Sequence, residues 1–408
     1  MLTRRRLVQT ANVGFALAGT GLLRRVAAET ALLNLPAGVP EGTRKEAVLD
    51  ALPGKKPLIK LTYRPPNYET PVEYLRTPIT PNNAFFVRYH LPDIPEISAE
   101  SWKLSVGGEG ADRQAEITLN QLRSMPAIEV VAVCQCSGNR RGLFQPHVPG
   151  VEWGYGAMGC ARWKGVRLKD ILDKVSVKKE AVEIVLNGAD GPGIDQTPDF
   201  IKSIPVTLAL DENTIIAYEM NGEPLPHFNG FPARIVIPGW TGTYWVKHLT
   251  SIMAVTKPFD GFWMKSAYRI PLGKFPVVAR FISQDSAVST PITEMVVNSL
   301  ITSHSDGAMV RAGSQVPVDG IAWDGGYGIR TVEVTVNDGN TWSPAALGED
   351  FGRFAFRTWS YELAAIPGKN TIMARAINAI GQTQTTSLIT NPAGYHHNLI
   401  QKVTLVGS

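Results

Sequence analysis

The chain has 408 residues and three cysteines, and two of these stand one residue apart in VVAVCQCSGNRRG, residues 130–142. Cys134 lies inside the apolar run. Cys136 ends it and opens the turn Ser137-Gly138-Asn139, where small, turn-prone residues let backbone N–H groups approach a ligand closely. A thiolate at that position, with Arg140 and Arg141 close behind, has the electropositive surroundings that depress a thiol pKa and suit a soft metal. The competing reading makes both cysteines small buried hydrophobes and both arginines solvated. In an extended strand the two cysteines share a face, with Cα atoms near the upper limit for bridging, so a disulfide between them would be strained.

Three further stretches carry chemical side chains. In NNAFFVRYHLP, residues 82–92, period-two alternation puts Phe86, Arg88 and His90 on one face and Phe85, Val87 and Tyr89 on the other. An arginine beside a histidine on an apolar strand suits an oxyanion or a cofactor, although an edge strand with one polar face reads the same way. LPHFNGFPARIVIPGWTGTYWVKHL, residues 225–249, spreads His227, Asn229, Arg234, Lys247 and His248 over Gly- and Pro-punctuated turns. Irregular backbone with Arg and Lys suits a phosphate; a loop-rich surface with ordinary cations is the alternative. FWMKSAYRIP sets Tyr268 and Arg269 among aromatics, where a tyrosine is commonly core or interface. The sequence contains no G-x-S-x-G, H-E-x-x-H, Walker loop, G-x-G-x-x-G after a strand, or C-x-x-C-H haem site, and GGYG at 325–328 reads as a turn.

The elements that must position these groups follow from periodicity. IEVVAVC, VEIVLNG, ARIVIPG and TSIMAVT read as strands bounded by Gly, Pro and Asn. ARWKGVRLKDILDKV reads as helical, with Val166, Leu168, Ile171, Leu172 and Val175 roughly on one face. Strands and helices without regular βαβ spacing imply an α+β domain over residues 76–288. From residue 289 the texture becomes strand–turn–strand. RTVEVTV alternates Val332, Val334 and Val336 against Glu333 and Thr335, Asn337-Asp338-Gly339 supplies a hairpin turn, and FAFRTWSYEL and NTIMARAINAIG continue. Residues 289–408 therefore read as an all-β, immunoglobulin-like sandwich. Residues 29–75, rich in proline and charge, read as an extended N-terminal arm packed over the surface.

The composition, 44% hydrophobic and 19% charged, is that of a soluble globular protein. Its formal charge of +4 is local in origin: residues 1–28 hold Arg4, Arg5, Arg6, Arg24 and Arg25 and no acid, so removing these five charges turns +4 into −1. Nucleic-acid binding loses its support with them. Thr3-Arg4-Arg5-Arg6-Leu7-Val8, a short weakly apolar stretch and Val26-Ala27-Ala28 read as a twin-arginine signal peptide over 1–28, with a basic amphipathic helix as the alternative. The mature protein is then expected in the periplasm, exported folded, and not in a membrane.

Taken together, these segments resemble the sulfite oxidase family of molybdenum enzymes over about residues 60–408. VCQCSGNRRG is similar to the family's metal-binding segment, and FFVRYHLP, GAMGCARWKGVRLKDIL, YEMNGEPLP, FNGFPARIVIPG, WVKHL and KSAYRIP follow in the family's order. DGGYGIRTVEVTVNDGNTW resembles its immunoglobulin-like C-terminal domain. The resemblance implies an α+β molybdopterin-binding domain followed by that sandwich, with Cys136 the one protein ligand of a molybdenum otherwise held by the dithiolene of molybdopterin. It implies Arg88, Arg141 and Tyr268 lining a substrate pocket with Trp153 as a wall. Phe86, Arg88, Tyr89, His90, Asp190, Asn229, Arg234, Trp245 and Lys247 would hold the pterin and its phosphate. Two positions depart from the animal members, which tend to place histidine at Asn229 and a substrate-facing arginine at Tyr327. Cys160 is taken as structural.

The implied reaction is oxidation of sulfite to sulfate, a small anion that two arginines would compensate inside a desolvated pocket. With no haem site on the chain, and an arm too short for a haem domain, a c-type cytochrome is the expected electron acceptor. The chain would then form a homodimer or a heterodimer with a cytochrome subunit. A sulfane dehydrogenase subunit of a thiosulfate-oxidising complex shares these features. Exported methionine sulfoxide reductases of the superfamily lack the second domain. A non-catalytic periplasmic binding or scaffold module remains the non-enzyme alternative, in which Cys136 is a core residue and no metal binds.

Overall fold

The computed structural model describes residues 32–34, 46–272 and 288–408; the expected signal peptide at 1–28 lies outside them. The run before Cys136 is almost continuously apolar because strand Ala127–Gln135 is covered on both faces. Ala132 and Cys134 pack into the core of the first domain, and Val133 joins a cluster shared with the second, alongside Leu300, Ile321 and Trp323. This strand pairs antiparallel along its whole length with Met158–Arg167. Ile215–Met220 continues the sheet and also pairs with Arg234–Val236, so Cys136 and Arg234 are positioned by one sheet.

Residues 158–167 correct the helical reading of ARWKGVRLKDILDKV. They form a strand, and the helix is confined to Leu168–Leu172. Pairing on both edges outweighs local helical periodicity here, although Val166, Leu168, Ile171, Leu172 and Val175 are all buried. A second, mixed sheet runs in the order Lys202–Pro205, Glu183–Gly188, Leu249–Val255, Lys103–Gly107, Ala115–Thr118. The α-helices are single turns of four or five residues, so the first domain is α+β with sheet dominant. Among the described residues no helix is long and apolar enough to cross a membrane.

The N-terminal segment is also corrected. Leu32–Asn34, Glu46–Asp50, Leu58–Thr62 and Asn67–Glu69 form an antiparallel meander that ends on Val87–Arg88. Leu58 and Tyr68 pack with Val87 and Tyr89 in a core of their own. In place of the strand expected over FFVRYH, only the two residues Val87–Arg88 pair, and the backbone on either side is irregular.

Residues 289–408 form two packed sheets, as the alternation implied. One holds Asn298–Ile301, Gln315–Trp323, Arg357–Ala364 and Ala346–Leu347; the other holds Met309–Val310, Lys402–Gly407, Gly368–Asn378, Ile329–Thr335 and Ser343–Pro344. Val318, Val332, Val334, Ile372 and Leu405 fill the space between them. Val336, expected inside with Val332 and Val334, is exposed because its strand ends at Thr335, where Asp338 and Gly339 take positive φ in the turn. The two domains are joined tightly. Val133 N–H donates to Phe354 O (2.9 Å), and Trp323 Nε1 donates to Gln135 Oε1 (2.7 Å).

Candidate active site

Two cavities meet at one wall made by Arg88, Cys136 and Tyr268. The more enclosed one is lined by all ten residues expected to hold the cofactor: Phe86, Arg88, Tyr89, His90, Cys136, Asp190, Asn229, Arg234, Trp245 and Lys247. The second opens on the other side of Cys136 and is lined by Arg88, Arg141, Gly150, Trp263, Tyr268 and Tyr395, among others. Trp153, the expected wall, lines neither. It is fully buried in the first-domain core, and its indole N–H has no partner. Tyr327 is exposed, bonds to Glu294 (3.0 Å) and likewise lines neither cavity.

The face assignment over residues 85–90 also needs correction. Phe85 and Tyr89, placed opposite Phe86, Arg88 and His90, line the same cavity, because the irregular backbone abandons the two-residue period.

The two arginines behind Cys136 are buried rather than solvated, and they do different things. Arg140, with φ 67°, donates from Nη1 to Asn298 Oδ1 (2.7 Å) and from Nη2 to Ser299 O (2.9 Å), lying over the Tyr155 and Trp323 rings. It ties the metal-binding turn to the second domain. Arg141 turns to the open cavity. Its Nε donates to Ala393 O (2.9 Å) and Nη1 to Val151 O (3.3 Å), while among the described residues no protein acceptor takes Nη2. Glycines make the slot it occupies: a Cβ on Gly138 would fall 2.5 Å from Nη2, and one on Gly150 2.8 Å from Nη1.

Arg88 Nη1 bonds Asn67 Oδ1 (3.2 Å) and Tyr89 O. Tyr268, held at φ 58°, meets His90 Nε2 with its hydroxyl. Burial, reinforced by Arg88, Lys247 and Lys202, drives the His90 pKa well below its ordinary value, so His90 is neutral and able to accept from the phenol. Burial raises Tyr268, against the opposing pull of Arg88 and Arg141, so the phenol keeps its proton. Side chains held at positive φ here, Arg140, His248 and Tyr268, each carry strain of about 1–3 kcal/mol that the surrounding packing must override.

On the far side of the more enclosed cavity, the Arg234 guanidinium packs against both the Trp163 and the Trp245 ring. It donates to Asn229 O (2.8 Å) and Trp245 O (3.0 Å). Lys247 Nζ donates to Arg88 O (2.9 Å) and Phe228 O (3.3 Å). Burial and the Arg234 charge push Lys247 well below a normal lysine, while burial pushes Asp190 up to about 6 against the pull of Lys247. His248, one of the donors noted in this stretch, is spent on Tyr89 OH (2.7 Å) and Phe231 O (2.7 Å).

Sequence reasoning missed two residues here. Cys134, read as core, lines the more enclosed cavity with its sulfur 4.0 Å from Arg234 Nη2, and burial raises its thiol to about 11. Lys55, from the N-terminal meander, buries its ammonium against Asn229 Oδ1 (2.5 Å), Asn82 O (2.7 Å) and Phe85 O (3.1 Å). No acid offsets it, and burial lowers it to about 7. Only the basic pair Lys55-Lys56 in an otherwise neutral turn could have signalled it.

The cavity fits an anionic organic cofactor. Arg88, Arg234 and Lys247 face it against the single acid Asp190. Ser137 Oγ, Thr243 Oγ1 and Arg234 Nε are buried in or against its lining with no protein partner, an arrangement rare in folded proteins unless a ligand takes those bonds. Among the described residues no group of three or more His, Cys, Asp or Glu could hold a metal. A metal beside Cys136 must therefore arrive with most of its ligands attached, as molybdenum does in molybdopterin. Cys136 would ligate it, and Arg234, Lys247, Asn229 and the orphaned hydroxyls would hold the pterin and phosphate.

This fold and donor set define a molybdopterin-binding oxidoreductase. Residues 90–263 match the oxidoreductase molybdopterin binding domain, and residues 289–407 match the Mo-co oxidoreductase dimerisation domain. The chain is 33% identical to sulfite oxidase of Gallus gallus, covering 82% of this chain and 75% of that protein, and 30% identical to sulfite oxidase of Arabidopsis thaliana, covering 76% and 81%. Mitochondrial sulfite oxidase of Homo sapiens is 33% identical over 80% of this chain, which spans only 61% of that longer protein. The crystal structure of the sulfane dehydrogenase SoxCD from Paracoccus pantotrophus superposes with a TM-score of 0.73 at 25% identity, covering 84% of this chain and 86% of that one. The chain belongs to the sulfite oxidase family.

Proposed function

We propose that the protein oxidises sulfite to sulfate in the periplasm and passes the electrons to a c-type cytochrome, either a diffusing partner or a subunit bound to it. The observation that carries this reading is the shared wall. Cys136, Arg88 and Tyr268 stand between the more enclosed cavity, lined by the residues expected to hold the cofactor, and a larger, more open pocket with Arg141 at its side. Bound there, molybdenum in molybdopterin supplies a two-electron oxidation with transfer of one oxygen atom to sulfur. Sulfite and one water become sulfate, two protons and two electrons.

The protein's own residues recruit and orient the anion. Arg88 and Arg141 offer planar donor forks on two sides of the pocket, where little water competes, and the charge they stabilise is carried through to the sulfate product. Tyr268 gives its one hydroxyl proton to neutral His90, keeps that proton at working pH, and contributes its ring to the wall of the pocket. Arg234 and Lys247 place basic groups on the cofactor side of the wall.

The test is cytochrome c reduction by molybdenum-loaded protein with sulfite as sole donor, alongside metal analysis. About one molybdenum per chain and sulfite-dependent reduction are expected. Loaded protein that ignores sulfite but completes a reconstituted thiosulfate-oxidising system would instead be a sulfane dehydrogenase subunit, a reading that the 0.73 superposition on SoxCD supports. Protein made with cofactor available that carries no molybdenum would remove both readings.

A further inference from the structure

The wall of the open pocket opposite Arg88 comes from the second domain. Asn391 fixes the loop that carries it: its Oδ1 accepts from Ala393 N–H (3.3 Å) and Tyr395 N–H (3.1 Å), and its Nδ2 donates to Tyr395 O (2.7 Å). This buried cap, 4% exposed, makes the loop rigid. The loop presents three things to Arg141. Ala393 O takes Nε, Gly394 lies so close that a Cβ would be 2.8 Å from Arg141 Cγ, and the Tyr395 ring lies 5.2 Å under the guanidinium carbon. The same ring stacks on Tyr268, with centroids 5.7 Å apart and planes 9° from parallel. Tyr395 lines the open pocket and not the cofactor cavity.

We infer that Tyr395 is a specificity-determining residue of the anion pocket. Its ring sets the plane of Arg141 and the position of Tyr268 together, sizing the pocket for a small sulfur oxyanion and closing it to bulkier ones. This rests on the substrate class proposed above. Physically, a guanidinium held in its plane by two backbone acceptors, Ala393 O and Val151 O, can still tip out of that plane, and the aromatic face beneath it restricts that movement. A phenol stacked on a second ring is likewise held without using its hydroxyl. The ring therefore does the positioning, and the Tyr395 hydroxyl is dispensable.

The experiment compares molybdenum-loaded wild type with Y395F, Y395L and Y395M. It measures sulfate binding by calorimetry, competition by the bulkier benzenesulfonate, kcat and KM for sulfite, and molybdenum content. Y395L and Y395M should weaken sulfate binding and raise the sulfite KM by about tenfold, with kcat changed by less than about threefold. Their preference for sulfate over benzenesulfonate should fall by at least about tenfold, with molybdenum content unchanged and Y395F within about twofold of wild type. Unchanged sulfate affinity and preference in Y395L and Y395M, or equal loss toward both anions, would overturn the inference. So would failure of both variants to fold, since Tyr395 would then serve stability. Wild type that binds sulfate in this manner yet oxidises no sulfite would remove the proposed reaction and leave the role of Tyr395 standing.

Discussion

Replacing Arg141 with methionine isolates the contribution of one guanidinium to anion turnover. The side chain has five N–H donors. Nε and Nη1 each give one to a backbone carbonyl, Ala393 O and Val151 O, so three remain, two of them on Nη2 beside the open pocket. A bidentate anion uses two. Hydrogen bonds to charged partners contribute about 1.5–3 kcal/mol each, and at 8% exposure solvent screening discounts little of that, which gives about 3–6 kcal/mol. At about 1.4 kcal/mol per tenfold, R141M should lower kcat/KM for sulfite by a factor of about 10² to 10⁴. The methionine chain still fills the slot beside Gly138, Gly150 and Gly394, so the fold should survive, with the orphaned carbonyls appearing as a lower melting temperature. R141K should recover only part of the loss, because an ammonium cannot lie flat on Tyr395 and offer two parallel donors. Steady-state sulfite oxidation normalised to molybdenum decides the matter. An R141M enzyme within about threefold of wild-type kcat/KM would refute the placement of Arg141 at the reacting anion.

Cys136→Ser should keep its circular dichroism and its pterin-bound molybdenum yet lose sulfite turnover, because it exchanges a soft ligand for a poor one at nearly constant volume; wild-type turnover and an unchanged metal absorption spectrum would show that the sulfur is not the ligand. Arg140→Met removes two buried charge-assisted bonds to Asn298 and Ser299, at an expected cost of about 3–5 kcal/mol in urea unfolding. A loss below about 1 kcal/mol would mean that the domain tie is not energetic. Burial lowers Lys55 to about 7, well below its value in the unfolded chain, so above about pH 7 the unfolded chain binds more protons and the folded state should gain stability as pH rises. Urea unfolding of K55M should show a flatter profile over that range, and parallel profiles would contradict the burial of this ammonium. Stripping the cofactor should lower the melting temperature, since anything bound to the folded state alone stabilises it by mass action; equal melting of stripped and loaded protein would contradict the cavity assignment.

The ten expected residues that line the more enclosed cavity were legible because they stand in segments with the family's own motifs. Local pattern alone left each segment open, since a strand end, a polar edge or a cationic loop reads the same with or without a ligand. Strands such as Glu183–Gly188 and Leu249–Val255 were legible because their apolar runs end at turn residues. Residues 158–167 were not, because Val166 belongs to the apolar helical face that continues through Leu168, Ile171, Leu172 and Val175, and only pairing with Ala127–Gln135 and Ile215–Met220 decides. Lys55 and Tyr395 escaped for a different reason. Lys55 reaches Asn229 across 174 residues, and the Tyr395 loop reaches Arg141 across 252, and no local signal records contacts so distant. Trp153 shows the converse failure: a residue adjacent in sequence to a site can face the core, as burial and its absence from both linings demonstrate.

The position of the Cys136 sulfur follows from both domains at once. Alternation along Ala127–Gln135 sends Ala132 and Cys134 toward the first-domain core and Val133 and Gln135 toward the second, where Phe354 O and the Trp323 indole take their bonds. Past the strand end Arg140 reaches Asn298 and Ser299, and Arg141 reaches Ala393. Val133, Gln135, Arg140 and Arg141 are thereby fixed by the second domain, while Cys134, Cys136 and Ser137 face the cavities. Packed interiors transmit displacement because they contain little free volume. A shift of the β-sandwich would therefore move the sulfur, the Arg141 fork and the Tyr395 wall together, altering the pocket before exposing it. The second domain accordingly belongs to the catalytic apparatus as well as to any dimer, and a chain cut at residue 288 should keep most of the cofactor cavity yet lack one side of the place where the anion must sit.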